Sequence, residues 1–166
     1  MTGIFRAILV TMAFLGLMSC GAQSKFRTYN GPEVTLVEVH KADHKMYLLH
    51  GNKVLKTYDI QLGGVPQGKK QFEGDKKTPE GAYFITHRNP KSQYNLSLGI
   101  SYPNEADRAA AKAAGKDPGK DIFIHGQPGW TKVNGDWTAG CIAVPDDKME
   151  EVYAMVNPGT PINIFP

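Results

Sequence analysis

Short stretches of β-type sequence, each cut off by turn residues, run through most of this 166-residue chain. Val34-Thr35-Leu36-Val37-Glu38-Val39 has the two-residue period of a half-buried strand. A polar turn at 41–44 follows, then Met46-Tyr47-Leu48-Leu49, the Gly51-Asn52 turn and a run over 54–62, which together predict a meander of hairpins. Eighteen glycines and eleven prolines supply turns between such strands. Further strands are expected at 82–86, 121–125 and 161–165, while 89–104 is polar, aromatic and irregular and reads as a loop. Only two segments suit helices. Residues 105–114 make one, ended by Gly115 and Pro118. Pro145-Asp146-Asp147 opens the other, with acids at the positive end of its dipole and Met149, Val152, Tyr153 and Val156 on one face. The expectation is a mainly β fold, sandwich- or barrel-like with mixed sheets, carrying two short α-helices.

The N-terminus has a different character. Arg6 precedes an apolar run over 7–18 that is too short to span a bilayer and reads as a signal peptide. Leu17-Met18-Ser19-Cys20-Gly21 resembles a bacterial lipobox. Residues 1–20 are therefore expected to form a lipoprotein-type signal peptide with Cys20 as the lipidation site, 21–33 a tether, and 34–166 one domain. Cleavage near Ala22 is the alternative and would discard Cys20. Both routes export the chain to the periplasm or cell envelope, the first with a lipid anchor to a membrane. Beyond residue 24 the chain keeps 18 Lys and Arg against 16 Asp and Glu, too mild a balance to suggest nucleic acid as a partner.

Export gives the cysteines a meaning. In an oxidising compartment Cys is normally paired or absent, so Cys141, retained alone after loss or lipidation of Cys20, is more readily explained by reactivity than by packing. A Cys20–Cys141 disulfide is the competing reading. His125, at the end of the strand expected over 121–125, supplies an imidazole that can take a thiol proton, so the pair suits nucleophilic acyl transfer. The alternative is a buried Cys on one strand and a hydrogen-bonded His on another. His40 and His44 flank a turn rather than lie on a helix, so no metal site is expected there. The glycine-rich loop at 62–70 lacks phosphate-binding spacing and a following helix. No metal and no organic cofactor are called for.

Three motifs, in this order, carry a family resemblance: Gly74-Asp75-Lys76-Lys77-Thr78-Pro79-Glu80-Gly81-Ala82-Tyr83, Ile124-His125-Gly126 and Thr138-Ala139-Gly140-Cys141-Ile142. Together they resemble the L,D-transpeptidase catalytic domain of YkuD type, over about 34–165. The resemblance implies peptidoglycan tetrapeptide stems as substrate and Cys141 as a nucleophile that forms a thioester. It implies His125 as general acid and base, and the Gly126 backbone carbonyl as the group that orients the imidazole. Main-chain N–H groups of Ala139, Gly140 and Cys141 would form the oxyanion hole. Ser101, Tyr102, Trp130 and Thr138 are expected to contact substrate, and Trp137 to anchor its loop on the core.

The chain departs from the family pattern at two places, with Ala139 where many members have His and Ala143 where many have Arg. The missing guanidinium removes a cation that could hold a carboxylate or position loops. It raises an L,D-cleaving peptidoglycan hydrolase on the same fold as the alternative, and a catalytically inert wall-binding lipoprotein as the alternative of another class. A sortase would carry an Arg downstream of the Cys, and a papain-like peptidase would place the Cys before the His; neither order is present.

Overall fold

A computed structural model describes residues 24–129 and 133–166. The signal peptide and Cys20 expected at the N-terminus, and Trp130 in the loop before Cys141, lie outside the described residues. Eight strands form a single curled, mixed sheet in the order β3-β2-β1-β8-β4-β5-β6-β7. In chain order these are β1 (Leu36–His40), β2 (Lys45–His50), β3 (Lys53–Asp59), β4 (Gly81–Asn89), β5 (Ser97–Ile100), α1 (Glu105–Ala113), β6 (Phe123–His125), β7 (Ile142–Ala143), α2 (Asp146–Met155) and β8 (Pro161–Phe165).

The first three strands are the expected antiparallel meander, with Val37 and Val39 of β1 and Met46 and Leu48 of β2 fully buried. The C-terminal β8 slots between β1, to which it runs parallel, and β4, to which it runs antiparallel. Strand β4 turns the corner. Gly81–Phe84 pairs with β8, its register shifts between Ile85 and Arg88, and its far end pairs with β5. A bulge of this kind raises local twist and lets one sheet curl on itself. Beyond β3 the chain returns at Gln61, whose N–H and C=O exchange 2.8 Å hydrogen bonds with Ala143 of β7. The two ends of the strand order are thereby joined, giving the barrel-like form.

Helix α2 buries Met149, Val152, Tyr153 and Met155, with Val156 just beyond its end, against the sheet. Helix α1 is attached by a polar contact instead. Its buried Asp107 accepts a 2.7 Å hydrogen bond from Tyr83 Oη and closes a capping box with Asn104. No helix among the described residues is long and apolar enough to cross a membrane.

Strands β5 and β7 fall where the sequence shows no strand signal. All four β5 residues are buried, so an alternating pattern never arises, and Gly99 interrupts the run. The glycine is needed there, because a Cβ would lie 2.4 Å from the His87 ring and 2.6 Å from Thr86 Oγ1. Strand β7 is only two residues long and is defined by its neighbours β6 and Gln61 rather than by its own sequence.

Candidate active site

Strands β6 and β7 run parallel, with Ile124 opposite Ile142 and His125 opposite Ala143. Cys141 precedes β7 by one residue, so it shares a sheet face with His125 on the adjacent strand, one diagonal step away. Cys141 is a free, half-buried thiol. Its Sγ lies 3.6 Å from the carbonyl oxygen of Asp121, to which it donates.

His125 is buried, 3% exposed. Its Nδ1 is 2.7 Å from the carbonyl oxygen of Gly126, and since a carbonyl only accepts, Nδ1 carries the proton. In the neutral ring this leaves a lone pair at Nε2. Tyr94 lies against one side of the ring at 4.5 Å between centroids, and Trp137 meets it nearly edge-on at 5.6 Å. Burial pushes the imidazole below its usual value, against the smaller opposing effect of the Gly126 bond. Burial likewise pushes the Cys141 thiol up, opposed in part by the Phe123 backbone and by the charge of Lys70. Both shifts favour the uncharged forms, a thiol and a neutral imidazole.

Gly126 has no room for a side chain: a Cβ would meet Asp146 Oδ1 at 2.4 Å and the Tyr94 carbonyl at 2.8 Å. Asp146, at the first position of α2, accepts a 2.8 Å hydrogen bond from the Gln127 N–H, which fixes the segment leaving His125. Gln61 Oε1 accepts 2.9 Å hydrogen bonds from both Trp137 Nε1 and Gln127 Nε2, while Gln61 Nε2 donates to the Val133 carbonyl. Trp137 thus anchors its loop through one hydrogen bond and walls the imidazole with its ring. Asp136 secures the same loop by accepting from the Leu62 N–H at 2.7 Å and pairing with His44 at 2.9 Å. His40 goes elsewhere, packing on Tyr47 and Phe165. A cavity of about 710 Å³, of a size that holds ligands, opens on the Gln61 and Gln127 side, with Ala143, Asn134 and Asp146 in its wall.

The turn before Cys141 is shaped by Thr138 and Gly140. Thr138, expected to contact substrate, is instead 4% exposed, and its Oγ1 donates to the Cys141 carbonyl at 2.7 Å while accepting from the Gly140 N–H at 3.1 Å. The Gly140 N–H is thus already engaged, which removes one of the three donors expected for an oxyanion hole. Gly140 has φ +133°, where a side chain is strained, and a Cβ there would sit 2.6 Å from the Lys77 carbonyl. Gly140→Ala is expected to destabilise the protein by about 1–3 kcal/mol, read as a lower urea midpoint. An unchanged midpoint would contradict this packing.

Two other expected substrate contacts, Tyr102 and Ser101, do not line the cavity beside Gln61. Tyr102 is buried, with its hydroxyl donating to the Pro118 carbonyl at 2.7 Å and its ring on Tyr83, so it belongs to the core. Ser101 Oγ accepts from the Phe84 N–H and faces a separate, shallower concavity with Ala82, Pro103 and Arg108. Tyr94 and Asp121 touch the His125 ring and the Cys141 thiol, and Gln61, Asp136 and Asp146 hold the flanking segments; the sequence assigns none of them to the site. Each acts through a contact distant in the chain, a type of signal that a single sequence does not carry.

The chain is similar to several known proteins. Over 123 residues the chain is 29% identical to the protein named "Putative L,D-transpeptidase YafK" of Escherichia coli (strain K12), a match covering 69% of this chain and 45% of that protein. The helical cell shape determining protein Pgp2 of Campylobacter jejuni superposes with a TM-score of 0.62 at 28% identity, over 82% of this chain and 48% of that one. Bd1075 of Bdellovibrio bacteriovorus gives 0.58 at 26% identity, over 80% and 48%. The chain thus spans about half the length of these relatives. The family model of the L,D-transpeptidase catalytic domain, YkuD, matches residues 34–164, and the chain belongs to that family.

Proposed function

We propose that this protein is an exported cysteine acyltransferase that carries out L,D-transpeptidation on peptidoglycan tetrapeptide stems through a thioester at Cys141. The observation that carries this reading is the His125 ring, held by its Nδ1–H on the Gly126 carbonyl with its other nitrogen left as a base on the face that bears Cys141. In the reaction the thiol turns from the Asp121 carbonyl to Nε2 and loses its proton there. The sulfur attacks the carbonyl that joins the L-centre to the terminal D-amino acid. Main-chain N–H groups of Ala139 and Cys141 receive the developing oxyanion, and Gly140 serves through shape. His125 then protonates the leaving amine, and an acceptor amine takes the acyl group from sulfur, regenerating the thiol.

Cell-envelope location, with a lipid anchor at Cys20, belongs to the same reading. The family to which the chain belongs acts on wall peptides, and the apolar N-terminal run supplies an export route.

One observation favours a second outcome for the thioester. Ala143 occupies the position of the frequent Arg and lies fully buried in the cavity wall, where it offers no charge. With no guanidinium to hold an acceptor's carboxylate, water can compete as acceptor and the enzyme then acts as an L,D-cleaving hydrolase.

Mass spectrometry of products from a defined tetrapeptide muropeptide, with and without an added D-amino acid, separates the two. Exchanged or cross-linked stems are expected for transfer, and tripeptide stems alone would assign hydrolysis. No product from any stem, equal to that of protein alkylated beforehand at Cys141, would leave the wall-binding lipoprotein.

A further inference from the structure

The segment that leads into the domain is held to it by polar contacts. Lys25 Nζ donates to the Pro90 carbonyl at 3.0 Å and to the Asn95 carbonyl at 2.9 Å. Two residues on, Arg27 pairs with Glu150 of α2, its Nη2 at 2.9 Å and its Nε at 3.1 Å from one carboxylate oxygen, and its Nη1 lies 3.9 Å from Glu151. Tyr29 packs on the core. Residues expected to belong to a tether thus cross the loop between β4 and β5 and the outer side of α2.

Both partners of this segment lead to His125. In the 90–95 loop, Tyr94 lays its ring on the imidazole at 4.5 Å between centroids, and its carbonyl accepts from the Gly126 N–H at 3.0 Å. Asn95, whose carbonyl Lys25 takes, has φ +63°, a left-handed conformation that Asn tolerates better than most residues. Its Nδ2 donates to the Asp146 carbonyl at 3.4 Å, which joins the loop to the start of α2. Asp146 in turn accepts from the Gln127 N–H at 2.8 Å, on the segment leaving His125. The ammonium of Lys25 draws together carbonyls near the two ends of the loop, so the loop cannot swing away from the imidazole without breaking one of them.

We propose that Lys25 is a positioning residue for His125: by joining the Pro90 and Asn95 carbonyls it keeps the 90–95 loop closed with Tyr94 against the imidazole, which makes the segment ahead of the first strand a working part of the catalytic domain. The inference rests on the reading of His125 as general acid and base. Lys25 touches neither substrate nor the reacting atoms and acts through Tyr94. The titratable groups around the ring are Tyr94 from this loop, Cys141 from the turn before β7, and Asp146 from α2, whose carboxylate stands against Gly126.

The test is an NMR titration of the His125 ring in the full chain, its signal assigned by its loss in His125→Gln, read beside steady-state turnover of a tetrapeptide muropeptide. Lys25→Met keeps the length of the side chain and removes the donor. It is expected to raise the His125 pKa by about half a unit, because a ring that Tyr94 no longer covers is better hydrated and its charged form less disfavoured. It should lower kcat about tenfold with KM within about twofold, since the loop orients the base and not the substrate. Lys25→Arg, which keeps donors for both carbonyls, is expected to return both readings to within about twofold of the parent. A folded Lys25→Met with the parent's His125 titration would overturn the proposal. So would loss of the fold in Lys25→Met and Lys25→Gln alike, which would make the contact a structural clasp. A parent that turns over no stem counts against the proposed function, and the titration then decides this inference alone.

Discussion

Replacement of Cys141 by alanine is expected to lower turnover of tetrapeptide stems by at least about ten-thousandfold, to the background without enzyme. Residues that act as one catalytic unit lose nearly everything when the nucleophile goes, and the activity left by binding and oxyanion donors alone is small. The neighbouring Thr138 hydroxyl is a poor substitute nucleophile, because it is buried and engaged at both ends. The fold should be untouched. The Cys141 side chain donates a long hydrogen bond, 3.6 Å, to the Asp121 carbonyl and lies outside the main apolar cluster, so the urea midpoint should stay within about 0.5 kcal/mol of the parent. Loss of activity with an intact unfolding transition is the result to look for. An alanine variant retaining a tenth of the parent rate would place the nucleophile elsewhere.

His125→Gln should cost about a hundred- to ten-thousandfold in kcat, with little change in KM, since the ring works on the proton and not on substrate binding. Glutamine can keep a donor near the Gly126 carbonyl while losing the basic nitrogen, so the variant isolates proton transfer from packing. The pH profile of the parent carries the same information. Burial disfavours the imidazolium, so the folded ring stays neutral to a pH below the ordinary 6.5. The acid limb of kcat/KM should accordingly fall below pH 6.5. The same group gives a stability effect whose sign is set by its lowered folded value: the unfolded chain binds the proton more readily. Its contribution is present above about pH 6.5 and is lost as pH falls through the folded value. An acid limb above pH 7 would show instead that the ring is charged at rest and paired with a thiolate.

The parts of the fold that a reader of the sequence can recover are those whose own residues carry a period. The β1 to β3 meander and the buried face of α2 show that period, and Met149, Val152, Tyr153 and Val156 all lie in the core. The parts that escape are made by distant partners. β5 is buried throughout and β7 is two residues long, so neither displays alternation. The site divides in the same way. Cys141 and His125 stand out because a lone thiol in a chain read as exported, and an imidazole at a strand end, suit acyl transfer. Gln61 does not stand out, yet it ties Trp137, Gln127 and Val133 together from a position more than sixty residues earlier. The sequence does not show that the Thr138 and Tyr102 hydroxyls are engaged by the Cys141 and Pro118 carbonyls.

The thioester at Cys141 is the central step of the proposed reaction. Rapid acid quench of full-length protein mixed with a tetrapeptide muropeptide, followed by mass spectrometry of the Cys141 peptide, measures it directly. The predicted result is a transient adduct of the stem lacking its terminal D-amino acid, carried on Cys141 and absent from His125→Gln within the same mixing time. Turnover without any adduct on Cys141, or an adduct that forms on another residue, would contradict it.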